Sequence, residues 1–285
     1  TPPSFILKSD LVGLGVALPP LGWRKAPEDA AALSVAMSIT KPARVDEFLI
    51  QAPGLAAEGQ VSLREEGGLD RVTLSGFKVG NWLSGTGAII GRSDNAPPAI
   101  ALTSGSFDLR GLPTQASSGG SGSMGPLSAK LQHVRISESY DLRDFSGQFE
   151  DRGGLSGTFT GSVNGMAPVF GEMVPKAGGQ AFRITSNRGG DVINALGMAK
   201  TTGPGELLLH LSPGPNAGTY DGVMSIQNVK LLDAPAFAEL LNAISVVGLL
   251  EQMSGPGILL TEIASKFRLS PDRLHISQGS AVGPG

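Results

Sequence analysis

The sequence is poor in the residues that most binding and redox chemistry uses. Among its 285 residues there is no cysteine, which excludes disulfide bonds, thiolate metal ligands and a cysteine nucleophile. Two Trp and two Tyr leave few rings for stacking against sugars or bases, and we expect Trp23 in PPLGWRKAP to anchor a loop. Charged residues make up 16% of the chain, and its 22 basic residues form no block of the kind that nucleic acid attracts. We therefore expect no nucleic-acid partner.

Motifs for metal binding and nucleophilic catalysis are also missing. The three histidines, His133, His210 and His275, lie far apart in predicted strands and have no HxH, HxxE or HExxH grouping around them. No serine stands in a GxSxG elbow. We predict no catalytic residue, no metal site and no cofactor.

Four acidic residues cluster with two arginines in YDLRDFSGQFEDRGG. Paired carboxylates are what a glycosidase uses, but interleaved arginines favour surface ion pairs at strand ends. We therefore expect that the chain is not an enzyme. The acidic residues are Asp141, Asp144, Glu150 and Asp151, and the arginines are Arg143 and Arg152.

No apolar run is long enough to cross a bilayer. The longest, LLNAISVVGLL at 240–250, would span roughly 16 Å as a helix, about half of the ~30 Å hydrocarbon thickness. Asp233 followed by Pro235 is a good helix start, and GPG at 255–257 ends the pattern. We predict two short amphipathic helices here, packed on a sheet, with insertion into a membrane surface as the alternative. A third short helix is predicted in DVINALGMA at 191–199.

Alternation of apolar and polar residues is the strongest positive signal. In LSGTFTGSVNG, Leu155, Phe159 and Val163 share one face with two glycines, and Ser, Thr and Asn take the other. AAEGQVSLR, GELLLHL, TYDGVMSIQ and KFRLS follow the same pattern. Turns are predicted at EEGG (65–68), DRGG (151–154), NRGG (187–190) and SPGPNAG (212–218). The tripeptides LSG and FSG recur in close pairs, as expected for successive strands of a meander. The fold class is therefore mainly β.

One segment interrupts the strands. PTQASSGGSGSMGP (113–126) has almost no apolar content, and its formal match to GxGxxG lacks a flanking buried strand and helix. We expect a flexible Gly/Ser linker loop rather than a dinucleotide site. It separates an N-terminal part, 1–112, from a C-terminal part, 127–285.

The C-terminal part resembles a known family. Its sequence DVINALGMAKTTGPGELLLHL is followed by GTYDGVMSIQNVKLLDAPAFAELLNAISVVGLLEQMSGPGILLTEIASKFRLSPDRLHISQGSAVGP. This is similar to the AsmA-like C-terminal region of YhdP/TamB-type envelope proteins of Gram-negative bacteria. Upstream, LVGLGVALPPLGWRKAP and SGSFDLRGL are also similar to the YhdP-type portion.

The resemblance implies both a fold and a function. The fold is a long curved antiparallel sheet forming an apolar trough, called a β-taco, with a few short α-helices near the C-terminal end. The function is movement of phospholipid between the inner and outer membranes along that groove. The partners are phospholipid acyl chains and the two membranes, which segments outside this chain would reach. The location is the periplasm, with anchoring to the inner membrane in the full-length protein.

The apolar face of these strands supplies the candidate lipid-binding residues. For each one, ordinary core packing is an equal alternative, and alternation alone does not separate the two. The other functional class is a structural or adhesive β-sandwich of the cell envelope with no lipid ligand. The candidates are Val61, Leu63, Leu74, Phe107, Leu109, Leu155, Phe159, Val163, Leu207, Leu209, Leu211, Met224, Ile226, Phe267 and Leu269.

Overall fold

The computed structural model describes residues 3–93, 96–112, 124–202, 204–233, 258–270 and 273–283. The prediction of a mainly β fold is confirmed, since 66% of the described residues are in strands. Backbone contacts divide the chain into two compact units. The first contains residues 1–136 and 145–151, and the second contains 137–144 and 152–285.

The first unit is built on a mixed sheet. Strands β4 to β9 form a meander in which each strand is antiparallel to the next, and β1 pairs antiparallel with β4. A separate ribbon joins β2 and β3. The strands are β1 (Ser4–Ser9), β2 (Val16–Leu18), β3 (Trp23–Lys25), β4 (Ala32–Ser38), β5 (Arg44–Ala52), β6 (Leu55–Leu63), β7 (Leu69–Val79), β8 (Leu83–Ile90), β9 (Ala99–Asp108) and β10 (Leu127–Arg135).

One pairing in this unit departs from the antiparallel prediction. β9 and β10 are parallel, with Ile100 opposite Leu127 and Leu102 opposite Ala129. A parallel neighbour requires a long return connection, which the segment between these strands provides. The division by contacts therefore assigns β10 to the first unit, whereas the sequence places the boundary at 113–126, most of which lies outside the described residues.

The second unit has an antiparallel sheet and one short helix. β12, β13, β14, β16, β17, β18 and β19 pair in that order, and β15 pairs with β17. β11 (Asp141–Asp151) contributes to both units. The other elements are β12 (Leu155–Val163), β13 (Ala167–Lys176), β14 (Gly179–Ser186), α1 (Gly189–Ala195), β15 (Lys200–Thr202), β16 (Glu206–Pro213), β17 (Tyr220–Asp233), β18 (Ile258–Leu269) and β19 (Leu274–Val282).

Helix and turn predictions have mixed outcomes. A helix is confirmed at the site predicted over 191–199, but α1 starts two residues earlier, at Gly189, and ends four residues earlier, at Ala195. NRGG at 187–190 is therefore wrong as a turn, because its two glycines form the first residues of that helix. The turns at 65–68, 151–154 and 212–218 are confirmed between strands. The predicted helices within 235–254 lie outside the described residues.

Bulges on alternate strands of the first unit shift the side-chain pattern. An extra residue separates Val45 from Phe48 in β5, Leu74 from Phe77 in β7, and Leu102 from Gly105 in β9, relative to their partner strands. A bulge bends its strand and increases the local twist. All four LSG and FSG tripeptides lie within strands, in β7, β8, β11 and β12, and the one at 74–76 coincides with the β7 bulge.

We expect Gly59 to be essential for this sheet. A Cβ at Gly59 would lie 1.9 Å from the carbonyl oxygen of Thr73 on the neighbouring strand, so the backbone would have to move. Gly59→Ala should lower the free energy of unfolding by about 1–3 kcal/mol, measured by urea denaturation. Gly15→Ala is the matched control, since its Cβ would meet Pro27 at 3.5 Å, an ordinary contact. Equal stability of the two variants would contradict this account.

Candidate functional site

A row of apolar side chains crosses the sheet of the first unit. Its members are direct register partners on successive strands from β4 to β10. Every one of them is partly exposed, neither buried nor fully open to solvent. They are Met37, Val45, Val61, Val72, Ile89, Ile100 and Leu127. We call this row the apolar strip.

A second row on the same face alternates large and small residues. Phe48, Leu74 and Leu102 are separated by glycines on the strands between them, Gly59 and Gly87. The large members are again partly exposed, whereas both glycines are buried. A Cβ at either glycine would meet a carbonyl oxygen of the neighbouring strand at 2.5 Å or less, so the strands approach closely at these positions. The face is therefore apolar along its length.

A tryptophan cluster bounds this face at one end of the strands. Trp23, Leu55, Val79 and Trp82 are buried together, and Phe107 packs against them with its ring centroid 5.8 Å from that of Trp82. Trp23 also donates a hydrogen bond of 2.8 Å from Nε1 to the carbonyl of Pro53 in the β5–β6 turn. Trp23 thus anchors a turn from a buried position and offers no exposed surface to a sugar.

The segment that carries Trp23 is held by a buried lysine. Lys25 is 3% exposed, and its Nζ donates to the carbonyls of Leu11, Leu14 and Ala26 at 2.8, 2.9 and 3.0 Å. Three acceptors satisfy all three ammonium donors, which is what burial of such a group requires. These bonds fix the ribbon of β2 and β3. Because Trp23 lies in β3, they also fix the tryptophan cluster.

The other face of the same sheet is polar. Hydroxyl pairs join β8 to β9, with Ser84 and Ser106 at 3.1 Å and Thr86 and Ser104 at 2.8 Å. Gln60 precedes Val61 in the chain and Thr73 follows Val72, and both are exposed on this side. The two faces therefore differ sharply in character.

The second unit also has a continuous apolar face, but much of it is filled by protein. Leu207, Ile226 and Ile263 are register partners and are 5%, 1% and 4% exposed. α1 packs against β13, β14, β16 and β17, and its Val192 and Ile193 are buried. This end of the face is an ordinary core beneath a helix.

Phenylalanine rings cover glycines on neighbouring strands of this unit. A Cβ at Gly171 would lie 2.1 Å from the ring of Phe159, and one at Gly222 would lie 2.3 Å from the ring of Phe267. Each ring thus lies flat over its partner glycine, which is the aromatic rescue of a strand glycine. Gly222 lies in TYDGVMSIQ, one of the predicted alternating segments, and the contacts give both glycines a packing role on the apolar face.

The end of this face away from α1 is more open. Phe182 and Tyr220 are partly exposed, with ring centroids 5.9 Å apart, while Leu269 and Leu274 are 37% and 46% exposed. Burial raises the pKa of the Tyr220 hydroxyl above its usual value. Apolar surface at this end is accessible, unlike that under the helix.

The predicted lipid-contact residues divide by exposure. Leu109 lies beyond β9, in a 3₁₀ turn at Leu109–Gly111, and is exposed, so it is not part of either row. Phe107 belongs to the tryptophan cluster. Of the others, Phe159, Leu207, Met224 and Ile226 are buried, Leu269 is exposed, and Val61, Leu63, Leu74, Leu155, Val163, Leu209, Leu211 and Phe267 are partly exposed.

Most of the apolar strip was not identified from the sequence. Val45 and Val72 stand in RVDEFLIQA and LDRVTLSGFKV, where a bulge breaks the two-residue period. The runs AII at 88–90 and AIAL at 99–102 carry a usable signal, because each is a short apolar segment bounded by glycine or proline.

Residues considered for catalysis are dispersed. His133, His210 and His275 lie in β10, β16 and β19, as predicted. Arg143 forms the expected ion pair with Asp141, Nε to Oδ2 at 3.4 Å, although the Asp141 side chain is only 14% exposed. Within the described ranges no group of three or more His, Asp or Glu side chains is arranged to hold a metal ion.

Two further findings bear on identity. In the part of the chain that the structure covers, no helix has the length and apolar character to cross a membrane. Comparison of the chain with family models, curated proteins and solved structures finds no match. The resemblance to the AsmA-like superfamily therefore stays a prediction.

Tyr220 gives a pH-dependent test of the packing at the open end. Because its folded pKa is raised, ionisation opposes folding, so stability should fall as pH rises from the usual tyrosine value of about 10 through the higher folded value. In urea denaturation, Tyr220→Phe should therefore lose less free energy of unfolding than the unmodified protein as the pH rises above about 10. Tyr140→Phe, at the other tyrosine, should lose as much as the unmodified protein; identical profiles for both variants would show that Tyr220 is not buried as described.

Proposed function

We propose that this chain is a periplasmic lipid-binding segment of a Gram-negative envelope protein, in which phospholipid moves between the inner and outer membranes along an apolar face. The observation that supports the proposal most is the apolar strip of the first unit. Its residues are aligned across seven strands from Met37 to Leu127, and all are partly exposed. A core filled by protein has buried residues at such positions, as Ile226 and Ile263 are in the second unit.

The dimensions of the strip suit an acyl chain. Adjacent strands lie about 4.8 Å apart, so the six spacings from β4 to β10 give a length of roughly 29 Å. Burial of a methylene contributes about 0.8 kcal/mol, so a 16-carbon tail gains at most on the order of 12 kcal/mol relative to water. The gain is smaller on an open face, because the side of the tail that faces away from the strip stays in contact with water.

The chemistry of the strip permits movement along it. The apolar strip carries Val, Ile, Leu and Met side chains and no charged group. Each step along such a surface exchanges one set of dispersion contacts for a similar one, so no single position is a deep energy minimum. The tryptophan cluster bounds the face on one side, and head groups remain in solvent.

A structural role without lipid is the second candidate, and one observation favours it for part of the molecule. The second unit has its apolar face packed beneath α1, with Ile226 1% exposed. We therefore assign lipid contact to the first unit and to the open end at Leu269 and Leu274, and a core role to Leu207, Met224 and Ile226.

A charge placed in the strip should abolish lipid retention. Val72→Asp puts a carboxylate in the middle of the row, where an acyl tail would have to desolvate it. Phospholipid recovered by organic extraction of the purified protein and counted by mass spectrometry should fall at least tenfold. Thr73→Asp is the matched control, since Thr73 is adjacent in the chain but exposed on the polar face.

The outcome separates the two candidates. Circular dichroism should show both variants folded, and Thr73→Asp should carry as much phospholipid as the unmodified protein. Absence of phospholipid from the unmodified protein, or equal retention by both variants, would favour the structural role.

Photo-crosslinking locates the lipid on one face. A diazirine amino acid at Val61 or Val72 should label phospholipid, because both side chains project from the apolar strip. The same group at Gln60 or Thr73 should label several-fold less, since these residues project from the opposite face of the same strands. Equal labelling from both faces would contradict the proposed path.

A further inference from the structure

The face of the second unit opposite its apolar rows contains a groove. Its volume is about 800 Å³, which is within the range of small-molecule sites. Its floor consists of register partners on five adjacent strands, β12, β13, β14, β16 and β17. These are Thr160, Phe170, Thr185, Leu208 and Ser225.

The floor combines one aromatic face with flanking hydroxyl groups. Phe170 is 39% exposed, and its partners on either side are Thr160 and Thr185. A ring with hydroxyls on both sides offers an apolar surface for the C–H face of a pyranose and hydrogen-bonding groups for its edge.

Amide and carboxylate groups also line the groove, beside the apolar residues Pro168, Val169 and Leu207. Asn187 and Gln227 supply both donors and acceptors, while Asp144 and Glu206 supply acceptors. Sugar hydroxyls need both kinds of partner, because each hydroxyl donates one hydrogen bond and accepts others. The lining therefore matches a polyhydroxylated ligand.

Ser186 fixes the connection between β14 and α1, which contains Asn187. The Ser186 hydroxyl donates to the carbonyl of Pro168 at 2.6 Å and accepts from the backbone N–H of Arg188 at 3.0 Å. Ser186 is 9% exposed, so these bonds are shielded from water. This end of the groove is preorganised, which lowers the entropic cost of binding.

The charges of the groove exclude an anionic ligand. Arg183 is its one basic lining residue, and its guanidinium is paired with Glu172, Nη1 to Oε2 at 3.1 Å. Asp144 and Glu206 leave the lining acidic. A phosphate or sulfate would be repelled, whereas a neutral sugar would not.

We propose that this groove binds an uncharged oligosaccharide. Five strands with four spacings of about 4.8 Å give a length of roughly 19 Å, enough for several sugar rings in a row. The site lies on the face of the second unit opposite its apolar rows and does not depend on lipid binding. In an envelope protein, it would tether the chain to neutral glycan.

The test is a titration of the ¹⁵N-labelled protein with soluble neutral hexasaccharides of glucose, mannose and N-acetylglucosamine. At least one should bind at millimolar concentration or below and shift the amide signals of Thr160, Thr185 and Ser225. Phe170→Ala should weaken that binding at least tenfold. Val174→Ala, which removes an exposed apolar side chain from the same strand outside the groove, should leave it unchanged.

Three results would overturn the inference. One is no binding of any hexasaccharide; another is equal affinity for Phe170→Ala and the unmodified protein. The third is tighter binding of a sulfated hexasaccharide than of its neutral counterpart. Retention of phospholipid, measured separately, is unaffected by any of these outcomes.

Discussion

The register between neighbouring strands is the constraint on which the rest of this structure depends. Alternation gives each strand an apolar side, but only pairing in register joins those sides into rows such as Val45, Val61, Val72 and Ile89. A slip of one residue in any strand would turn its apolar side chains to the polar face. Glycines at positions where a Cβ would clash with the neighbouring backbone, such as Gly59, allow the close approach of strands that this register requires.

The same alternation produces two surfaces with different chemistry. In the first unit the apolar rows are partly exposed, and the tryptophan cluster and the Lys25 bonds close one end of the face. In the second unit a helix fills part of the apolar face, and the opposite face holds a groove of about 800 Å³. Lipid is thus proposed for the apolar face of the first unit, and saccharide for the groove on the second unit. In each case the exposed side chains fit the ligand.

Local sequence predicted elements well where the two-residue period was unbroken. Leu155–Val163 and Glu206–Pro213 were recognised because their periodicity is regular. Val45, Phe48 and Ile50 were not predicted to share one face, because the bulge in β5 increases the spacing between Val45 and Phe48 from two residues to three. The parallel pairing of β9 with β10 depends on contacts between segments distant in sequence. Exposure also could not be predicted, since Ile226 and Val61 have the same local pattern but are buried and partly exposed, respectively.

The central claim is that the apolar face of the first unit accepts acyl chains, and the two tryptophans provide the most direct measurement. Trp23 and Trp82 are the only Trp residues in the chain, and both lie in the cluster at the edge of that face. Phosphatidylethanolamine with a dibrominated acyl chain, added in detergent micelles, should quench their fluorescence, while the unbrominated lipid should not. Equal emission with the two lipids, under conditions where the lipid is bound, would place the acyl chain elsewhere and contradict this account.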